Sequence, residues 1–142
     1  MAIWGVDPGR YGGMSILYDG GYAAYPMPAT DGHTYDIAKI VVMLGEAEYG
    51  DLLVIERVTR PASLVRCMAI FEGVGWAMGY RVETVRPQTW KSYFGLGANK
   101  QASLDLAKER FPHLAHEFKR VTRDDGKAEA LLIALYAKET GL

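Results

Sequence analysis

Two short apolar segments of this chain each end in an acidic residue, "IWGVD" at residues 3–7 and "DLLVIE" at residues 51–56. Apolar runs of this length are typical of β-strands that are buried on both faces of a sheet. A carboxylate at the end of such a strand is unfavourable unless it caps a turn, pairs with a cation or binds a metal ion. Asp7 and Glu56 are therefore the first residues for which a role has to be found.

The order of predicted elements indicates an α/β protein. Strands are predicted at Ile3–Val6, Met14–Tyr18, Gly21–Tyr25, Asp51–Glu56 and Tyr80–Val85, and the first three are antiparallel because Asp19-Gly20-Gly21 is a hairpin turn. Helices are predicted at Tyr35–Glu48, Pro61–Gly79, Pro87–Phe94, Lys100–Phe111 and about Gly126–Glu139, with a turn of helix near His113–Phe118. This order predicts a mixed sheet covered by helices. Without repeats or linkers, we expect residues 1–142 to form one domain.

Composition narrows the class of protein. The 142 residues suffice for a hydrophobic core, and the single cysteine, Cys67, excludes an internal disulfide and is interpreted as a core residue. No apolar stretch is long enough for a membrane span, and no basic segment leads into a leader peptide. We therefore expect a protein of the reducing cytoplasm that has no membrane partner.

Charge is unevenly distributed along a chain whose net charge is −1. Residues 1–80 contain five Lys and Arg and nine Asp and Glu, whereas residues 81–123 contain nine Lys and Arg and four acids. This distribution suits a protein that binds phosphates with one surface and gathers carboxylates on another, although a patchwork surface without function is the alternative.

Acidic residues at three places are candidates for one shared site: Asp7, Glu56, and the group Asp124, Asp125 and Glu129 near the start of the last helix. Taken singly, they have ordinary roles as a turn former, an ion-pair partner of Arg57 or Arg60, and acids favoured by the helix dipole. Taken together, they would repel one another, and hard oxygen ligands of this kind suit Mg²⁺ or Mn²⁺.

Four segments resemble a known family. "GVDPG", "VIER" and "DDGKAEALLIALYA" resemble the RuvC-type Holliday junction resolvases of the ribonuclease H-like superfamily, and "PQTWKSYFGLGANKQAS" is similar to the phage branch of that family. The resemblance implies a five-stranded mixed sheet, with three antiparallel and then two parallel strands, flanked by helices. It also implies a homodimer with two Mg²⁺ ions in each active site, for which Mn²⁺ would substitute.

The family pattern identifies the site residues. Asp7 and Glu56 match the ligands at the ends of strands one and four. The bacterial pattern has two acids three residues apart in the last helix, but position 126 is glycine here. Asp125 and Glu129 are four apart and share one helix face, so Asp125 is preferred to Asp124. The predicted catalytic and metal-binding residues are Asp7, Glu56, Asp125 and Glu129.

The basic middle of the chain is predicted to bind DNA phosphates through Lys91, Lys100, Arg86 and Arg123, together with Arg60 from the preceding part of the chain. For the residues other than Lys91 and Lys100, an ordinary solvated side chain is the alternative. Phe71, Tyr11 and Trp90 are candidates for stacking on an unpaired base, with core packing as the alternative. The apolar segment 66–79, with Gly75 and Gly79 four apart, is interpreted as a dimer contact, with packing inside the domain as the alternative. The three histidines, His33, His113 and His116, are interpreted as structural or surface residues.

The resemblance implies an endodeoxyribonuclease that resolves four-way DNA junctions by paired symmetric nicks, in a bacterium or a phage-infected cell. Two metal ions about 4 Å apart would act on the scissile phosphate. One alternative is a ribonuclease H-like nuclease that acts on flaps, other branched DNA or RNA. Another is a non-catalytic junction-binding dimer whose acids only cap helices. A kinase of the actin or sugar-kinase type needs two lobes, which 142 residues do not provide.

Overall fold

One mixed sheet forms the centre of the computed structural model, which describes residues 1–30 and 34–142. The strands are β1 (Ile3–Asp7), β2 (Gly13–Tyr18), β3 (Gly21–Pro26), β4 (Leu52–Glu56) and β5 (Arg81–Val85), in the spatial order β3-β2-β1-β4-β5. The pairs β1/β2 and β2/β3 are antiparallel, and the pairs β1/β4 and β4/β5 are parallel. The predicted fold class is therefore confirmed.

The helices are α1 (Ile37–Leu44), α2 (Ala62–Ala77), α3 (Pro87–Tyr93), α4 (Lys100–Arg110) and α5 (Val121–Thr140), with a 3₁₀ helix at Pro112–Glu117. Two of the predicted boundaries were wrong. Helix α1 ends before Glu48 because Gly45 adopts a φ of 65° and its N–H bonds to the carbonyl of Val41. Helix α5 begins at Val121 rather than near Gly126 because an acidic side chain, described below, binds the backbone before the helix.

Alternating strand residues face two hydrophobic cores. Leu52 and Val54 of β4 pack in the core that contains α5, whereas Leu53 and Ile55 pack with Phe71 of α2 in the other. Because successive strand residues point to opposite faces, the side chain of Glu56 belongs to the α5 face. Ile3 of β1 packs in the same core, and Asp7 is four residues further along this strand. Because four is an even number, the side chain of Asp7 belongs to the α5 face too.

Helix α5 lies very close to the sheet. A Cβ atom on Gly5 of β1 would overlap the carbonyl oxygen of Ala130 and would lie 2.9 Å from the backbone nitrogen of Ala134. The hydroxyl of Ser15 donates a 2.7 Å hydrogen bond to the same Ala130 carbonyl. This contact fixes α5 against the strands that end at Asp7 and Glu56.

The prediction that Gly75 and Gly79 contribute to a dimer contact of segment 66–79 was wrong. Gly75 is buried against the chain's own sheet, since a Cβ there would lie 2.6 Å from Leu53 and 2.8 Å from Val82. Gly79 lies beyond the end of α2. The side of α2 that faces solvent carries Ala69 and Trp76 instead, and Trp76 is 66% exposed.

Several smaller predictions are also resolved. Cys67 is fully buried in the core, as predicted, and burial raises its pKa to about 11. His113 and His116 are exposed, whereas His33 is outside the described residues. Within the described ranges, no helix has the length and apolar character needed to cross a membrane.

Candidate active site

Asp7 and Glu56 end two neighbouring parallel strands at the same level. The register pairs Val6 with Ile55, so the next residues, Asp7 and Glu56, occupy equivalent positions. The pKa of Asp7 is raised well above its ordinary value of 3.8, first by burial and then by the negative charges of Glu56 and Glu129. The strand ends thus hold two carboxylates whose ionisation is unfavourable without a nearby cation.

Helix α5 adds Glu129 and Asp125 to this pair. Glu129 is only 2% exposed, and its Oε1 accepts a hydrogen bond from the ammonium of Lys100. The same ammonium lies 3.5 Å from Oδ2 of Asp125, and the ammonium of Lys91 lies 3.7 Å from Oε2 of Glu129. Although burial lowers the pKa of Lys100, the hydrogen bond to Glu129 and the charges of Glu129, Asp7 and Asp125 raise it overall, so the lysine stays charged.

Glu56 is held by a residue from the next part of the chain. The indole N–H of Trp90 in α3 donates a 2.8 Å hydrogen bond to Oε2 of Glu56. Burial raises the pKa of Glu56, the hydrogen bond from Trp90 opposes this, and the charge of Glu129 raises it further. The adjacent residues Trp90 and Lys91 therefore contact two different acids of the site.

Asp124 is not part of the cluster. Its Oδ2 accepts hydrogen bonds of 2.9 Å from the backbone N–H groups of Lys119 and Arg120, which precede the first turn of α5. Burial tends to raise the pKa of Asp124, but these two hydrogen bonds and the charges of Lys127 and Arg123 lower it overall. Asp124 therefore holds the backbone that leads into the helix, whereas Asp125 faces Lys100 and the other acids.

Gly126 stands where the bacterial pattern has an acid because there is no room for a side chain. A Cβ atom at this position would overlap the carbonyl oxygens of Tyr11 and Gly12 in the loop after β1. The first turns of α5 are therefore in direct contact with the backbone of that loop. The nearest acid that faces Lys100 is Asp125, one position earlier.

The donor chemistry of the four acids fits a divalent cation. Oε2 of Glu129 is buried without a hydrogen-bond partner, and the raised pKa values of Asp7 and Glu56 reflect burial and mutual repulsion. Lys91 and Lys100 supply two positive charges to four carboxylates, so negative charge is in excess. In the described part of the chain, no three His, Cys, Asp or Glu side chains are arranged so that they could hold a metal ion as they stand. The fit therefore rests on hard oxygen donors and uncompensated charge.

Two concave surfaces adjoin the acids. The carboxylate cavity has a volume of about 400 Å³ and is lined by Asp7, Glu56, Lys100, Tyr35, Ser63, Leu64 and the loop of residues 8–12. The arginine cleft has a volume of about 780 Å³ and is lined by residues 57–60 and 86–89. It lies next to the site because Arg57 directly follows Glu56 and its N–H bonds to the carbonyl of Val85 at 2.7 Å.

The predicted DNA-binding residues divide into three groups. Lys91 and Lys100 contact the acids, Arg60 and Arg86 line the arginine cleft, and the exposed Arg123 lines neither surface. Arg57 was not predicted to be a cleft residue and was interpreted only as an ion-pair partner of Glu56. None of the three cleft arginines takes part in an ion pair with a described residue.

Burial separates the three aromatic candidates. Phe71 and Trp90 are fully buried, which excludes base stacking and confirms the alternative of core packing for both. Tyr11 is 76% exposed. The hydrogen bond from Trp90 to Glu56 was also missed, and the only signal for it in the sequence is the tryptophan that precedes Lys91.

Solved structures of known proteins have a similar fold, although no similar sequence was found. No model of a protein family matches the sequence, and a search of curated proteins finds no match either. Among solved structures, the fowlpox virus Holliday junction resolvase is similar with a TM-score of 0.66, 17% identity and 100% coverage of both chains. The same viral resolvase in complex with Holliday junction DNA has a TM-score of 0.62, 14% identity and coverage of 97% of this chain and 99% of that one.

A bacterial structure is similar as well. Thermus thermophilus RuvC in complex with a Holliday junction substrate has a TM-score of 0.59, 14% identity and coverage of 99% of this chain and 97% of that one. The chain therefore has the ribonuclease H-like fold of the RuvC-type and fowlpox Holliday junction resolvases. None of these three structures is of a phage protein.

Proposed function

We propose that this chain is a Mg²⁺-dependent endodeoxyribonuclease that resolves four-way DNA junctions by paired symmetric nicks. The observation that carries the proposal is the convergence of Asp7, Glu56, Asp125 and Glu129 at one end of the sheet, with Lys100 paired to two of them. Structures of similar fold from fowlpox virus and Thermus thermophilus are resolvases solved with Holliday junction DNA, which supports the choice of substrate. The cytoplasm of a bacterium or a phage-infected cell would supply such junctions.

The four carboxylates would hold the divalent ions, with Mn²⁺ able to replace Mg²⁺. When bound, a pair of such ions stabilises both the attacking and the leaving oxygen of a phosphodiester displacement. The chain's own residues position the groups around the phosphate. Trp90 fixes the orientation of Glu56, and α5 holds Glu129 and Asp125 close to the strand ends.

The two lysines are placed to neutralise charge. Lys91 and Lys100 lie within ion-pair distance of Glu129, and their ammonium groups can turn to a phosphate oxygen that enters the site. Phosphoryl transfer depends mainly on positioning and on charge stabilisation, so carboxylates, cations and lysines suffice without a nucleophilic serine or cysteine. This agrees with Cys67 being fully buried.

The arginine cleft supports the binding of a nucleic acid strand beside the acids. Arg57, Arg60 and Arg86 are exposed at the same end of the sheet and lack acidic partners among the described residues. Unpaired guanidinium groups favour phosphate contacts that are largely independent of sequence. They would hold backbone phosphates that flank the scissile one.

The proposal includes a homodimer, since a four-way junction has two opposed strands to cut and a twofold axis would present one site to each. The exposed side of α2 supports this part of the proposal, because Trp76 is 66% exposed there, about two helical turns from the exposed Ala69. Large aromatic residues on an exposed helix face are typical of interfaces.

The test is cleavage of a defined four-way junction with Mg²⁺, with cut positions mapped on all four strands. We expect two symmetric nicks on opposed strands, no cutting in EDTA, and recovery when Mg²⁺ is added back. Asp7→Asn should abolish cutting but keep junction binding, whereas Asp19→Asn in the exposed β2–β3 turn should cut normally.

Other outcomes would contradict the proposal in specific ways. Preferred cutting of a flap or of an RNA–DNA hybrid over the junction would assign a different ribonuclease H-like activity. Junction binding without cutting in any divalent metal would assign a non-catalytic binding protein.

A further inference from the structure

Tyr11 is an exposed aromatic residue at the edge of the carboxylate cavity. Its side chain is 76% exposed, and it lines the same cavity as Asp7, Glu56 and Lys100. An exposed ring contributes little to the stability of the free protein, because most of its apolar surface remains in water. The ring is therefore available to a ligand that enters beside the acids.

The backbone of Tyr11 is held rigidly although its ring is exposed. The loop is closed by a 3.0 Å hydrogen bond from the N–H of Gly12 to the carbonyl of Gly9. On its other side, Gly126 of α5 packs directly on the carbonyl groups of Tyr11 and Gly12. A ring presented from a fixed backbone loses little conformational freedom when it binds, which favours its use as a contact residue.

The other aromatic residue that lines the cavity, Tyr35, is not accessible to a ligand in the same way. Tyr35 is buried, and its hydroxyl donates a 3.1 Å hydrogen bond to the carbonyl of Ser63. Beside Tyr11, the guanidinium carbon of Arg10 lies 5.6 Å from the centre of the tyrosine ring. Tyr11 thus presents a flat exposed surface of the kind on which a nucleobase stacks.

We propose that Tyr11 stacks on an unpaired nucleobase next to the scissile phosphate and thereby determines where the DNA strand is cut. The inference rests on the proposed function and adds to it the part of the substrate that the loop of residues 8–12 recognises. A base in a continuous duplex is covered by its neighbours, whereas a base at the crossover of a junction can present one face. Stacking on Tyr11 therefore selects strands that are open at the crossover.

The test uses junctions that carry 2-aminopurine, one position at a time, at the bases flanking the crossover. Binding is followed in the Asp7→Asn background, which should not cut. We expect bound protein to quench the fluorescence at one of these positions, Tyr11→Phe to retain the quenching and Tyr11→Ala to lose it. Loss of one stacked base weakens binding by about fivefold to a hundredfold.

Cleavage gives a second readout with Asp7 intact. Tyr11→Ala should raise KM and spread the cuts over several positions near the crossover, whereas Tyr11→Phe should keep the cut positions. The matched control is Tyr49→Ala, since Tyr49 is fully exposed and does not line the carboxylate cavity. Thermal melting should be the same for Tyr11→Ala and Tyr49→Ala.

The result that would overturn the inference is a Tyr11→Ala protein with the quenching, KM and cut positions of the Tyr49→Ala control. A chain that neither binds nor cuts a four-way junction before any substitution would instead overturn the proposed function, and the inference with it. The unsubstituted protein therefore distinguishes the two failures.

Discussion

The indole N–H of Trp90 donates a 2.8 Å hydrogen bond to Oε2 of Glu56, which joins a fully buried core residue to a carboxylate of the candidate active site. The two residues are 34 positions apart in sequence. The next residue, Lys91, lies 3.7 Å from Glu129 on another helix. The core thus fixes the orientation of acids that come from separate parts of the chain.

Replacing Trp90 with phenylalanine should reduce cleavage about 10- to 100-fold, which is the usual effect of losing a group that orients a metal ligand. The ring would remain in the core, but Glu56 would lose its donor. The measurement is single-turnover cleavage of a four-way junction at saturating Mg²⁺. The control is Phe118→Leu, which alters the same core at another fully buried aromatic position. Equal rates for the two variants would contradict a positioning role for Trp90.

Substitutions of the neighbouring residues Asp124 and Asp125 should have different effects, one on stability and the other on cleavage. Asp124→Ala should lower the free energy of unfolding by about 1–3 kcal/mol and leave cleavage unchanged, because it removes the hydrogen bonds that its carboxylate accepts from Lys119 and Arg120. Asp125→Asn should abolish or greatly reduce cleavage with little effect on stability. Urea denaturation and junction cleavage measured on both variants would test this, and the opposite pattern would exchange the two assignments.

Gly126→Ala should destabilise the protein by about 1–3 kcal/mol, as overpacking of a tight contact does. The new methyl group would overlap the carbonyl oxygens of Tyr11 and Gly12. Gly97→Ala is the control, since a Cβ there meets nothing within 4 Å and the residue is exposed. Thermal melting of the two variants gives the comparison. If the two proteins melted alike, α5 would not pack on this loop as described.

Asp7→Asn should stabilise the metal-free protein at neutral pH. The pKa of Asp7 is raised in the folded state, first by burial, so the folded protein binds a proton more tightly than the unfolded chain does. Stability should therefore fall as the pH rises from near the ordinary value of 3.8 to the raised pKa, and then level off. The amide carries no charge and avoids this loss of stability, so Asp7→Asn should have the higher Tm.

Melting curves in EDTA at several pH values would measure this difference, which should shrink towards pH 4. Millimolar Mg²⁺ should raise the Tm of the original protein and have a smaller effect on Asp7→Asn, because ligand binding to the folded state stabilises it. A lower Tm for Asp7→Asn at pH 7 in EDTA would contradict the repulsion among these acids.

The arginine cleft should dominate the salt dependence of DNA binding. Replacing Arg57, Arg60 and Arg86 together with alanine should reduce the slope of log K against log salt by about 0.9 for each phosphate that the variant no longer binds. Binding would be measured in the Asp7→Asn background. Arg81→Ala is the control, since Arg81 pairs with Glu83 at the start of β5, away from the cleft. An unchanged slope in the triple variant would exclude the cleft from phosphate binding.

Local patterns in the sequence were sufficient for the strands and for most of the helices. Apolar runs and the turn at residues 19–21 act over a few residues, so they predict β1 to β5 without knowledge of distant contacts. Errors occurred where a single residue changed a boundary. Gly45 ended α1 through its positive φ, and the Asp124 side chain extended α5 backwards by binding Lys119 and Arg120.

The amino-acid sequence by itself determined that Asp7 and Glu56 end two buried strands, and its resemblance to the resolvases implied a sheet of three antiparallel and then two parallel strands. Only the tertiary structure decided which groups meet those acids. Lys100 and Glu129 are 29 residues apart, and they are in contact because α4 packs against α5. Helix α5 in turn packs on β1 through Gly5 and on the loop after β1 through Gly126. Strand patterns follow from neighbouring residues, whereas the partners of a buried charge depend on how distant elements pack, because packing removes water from all of them at once.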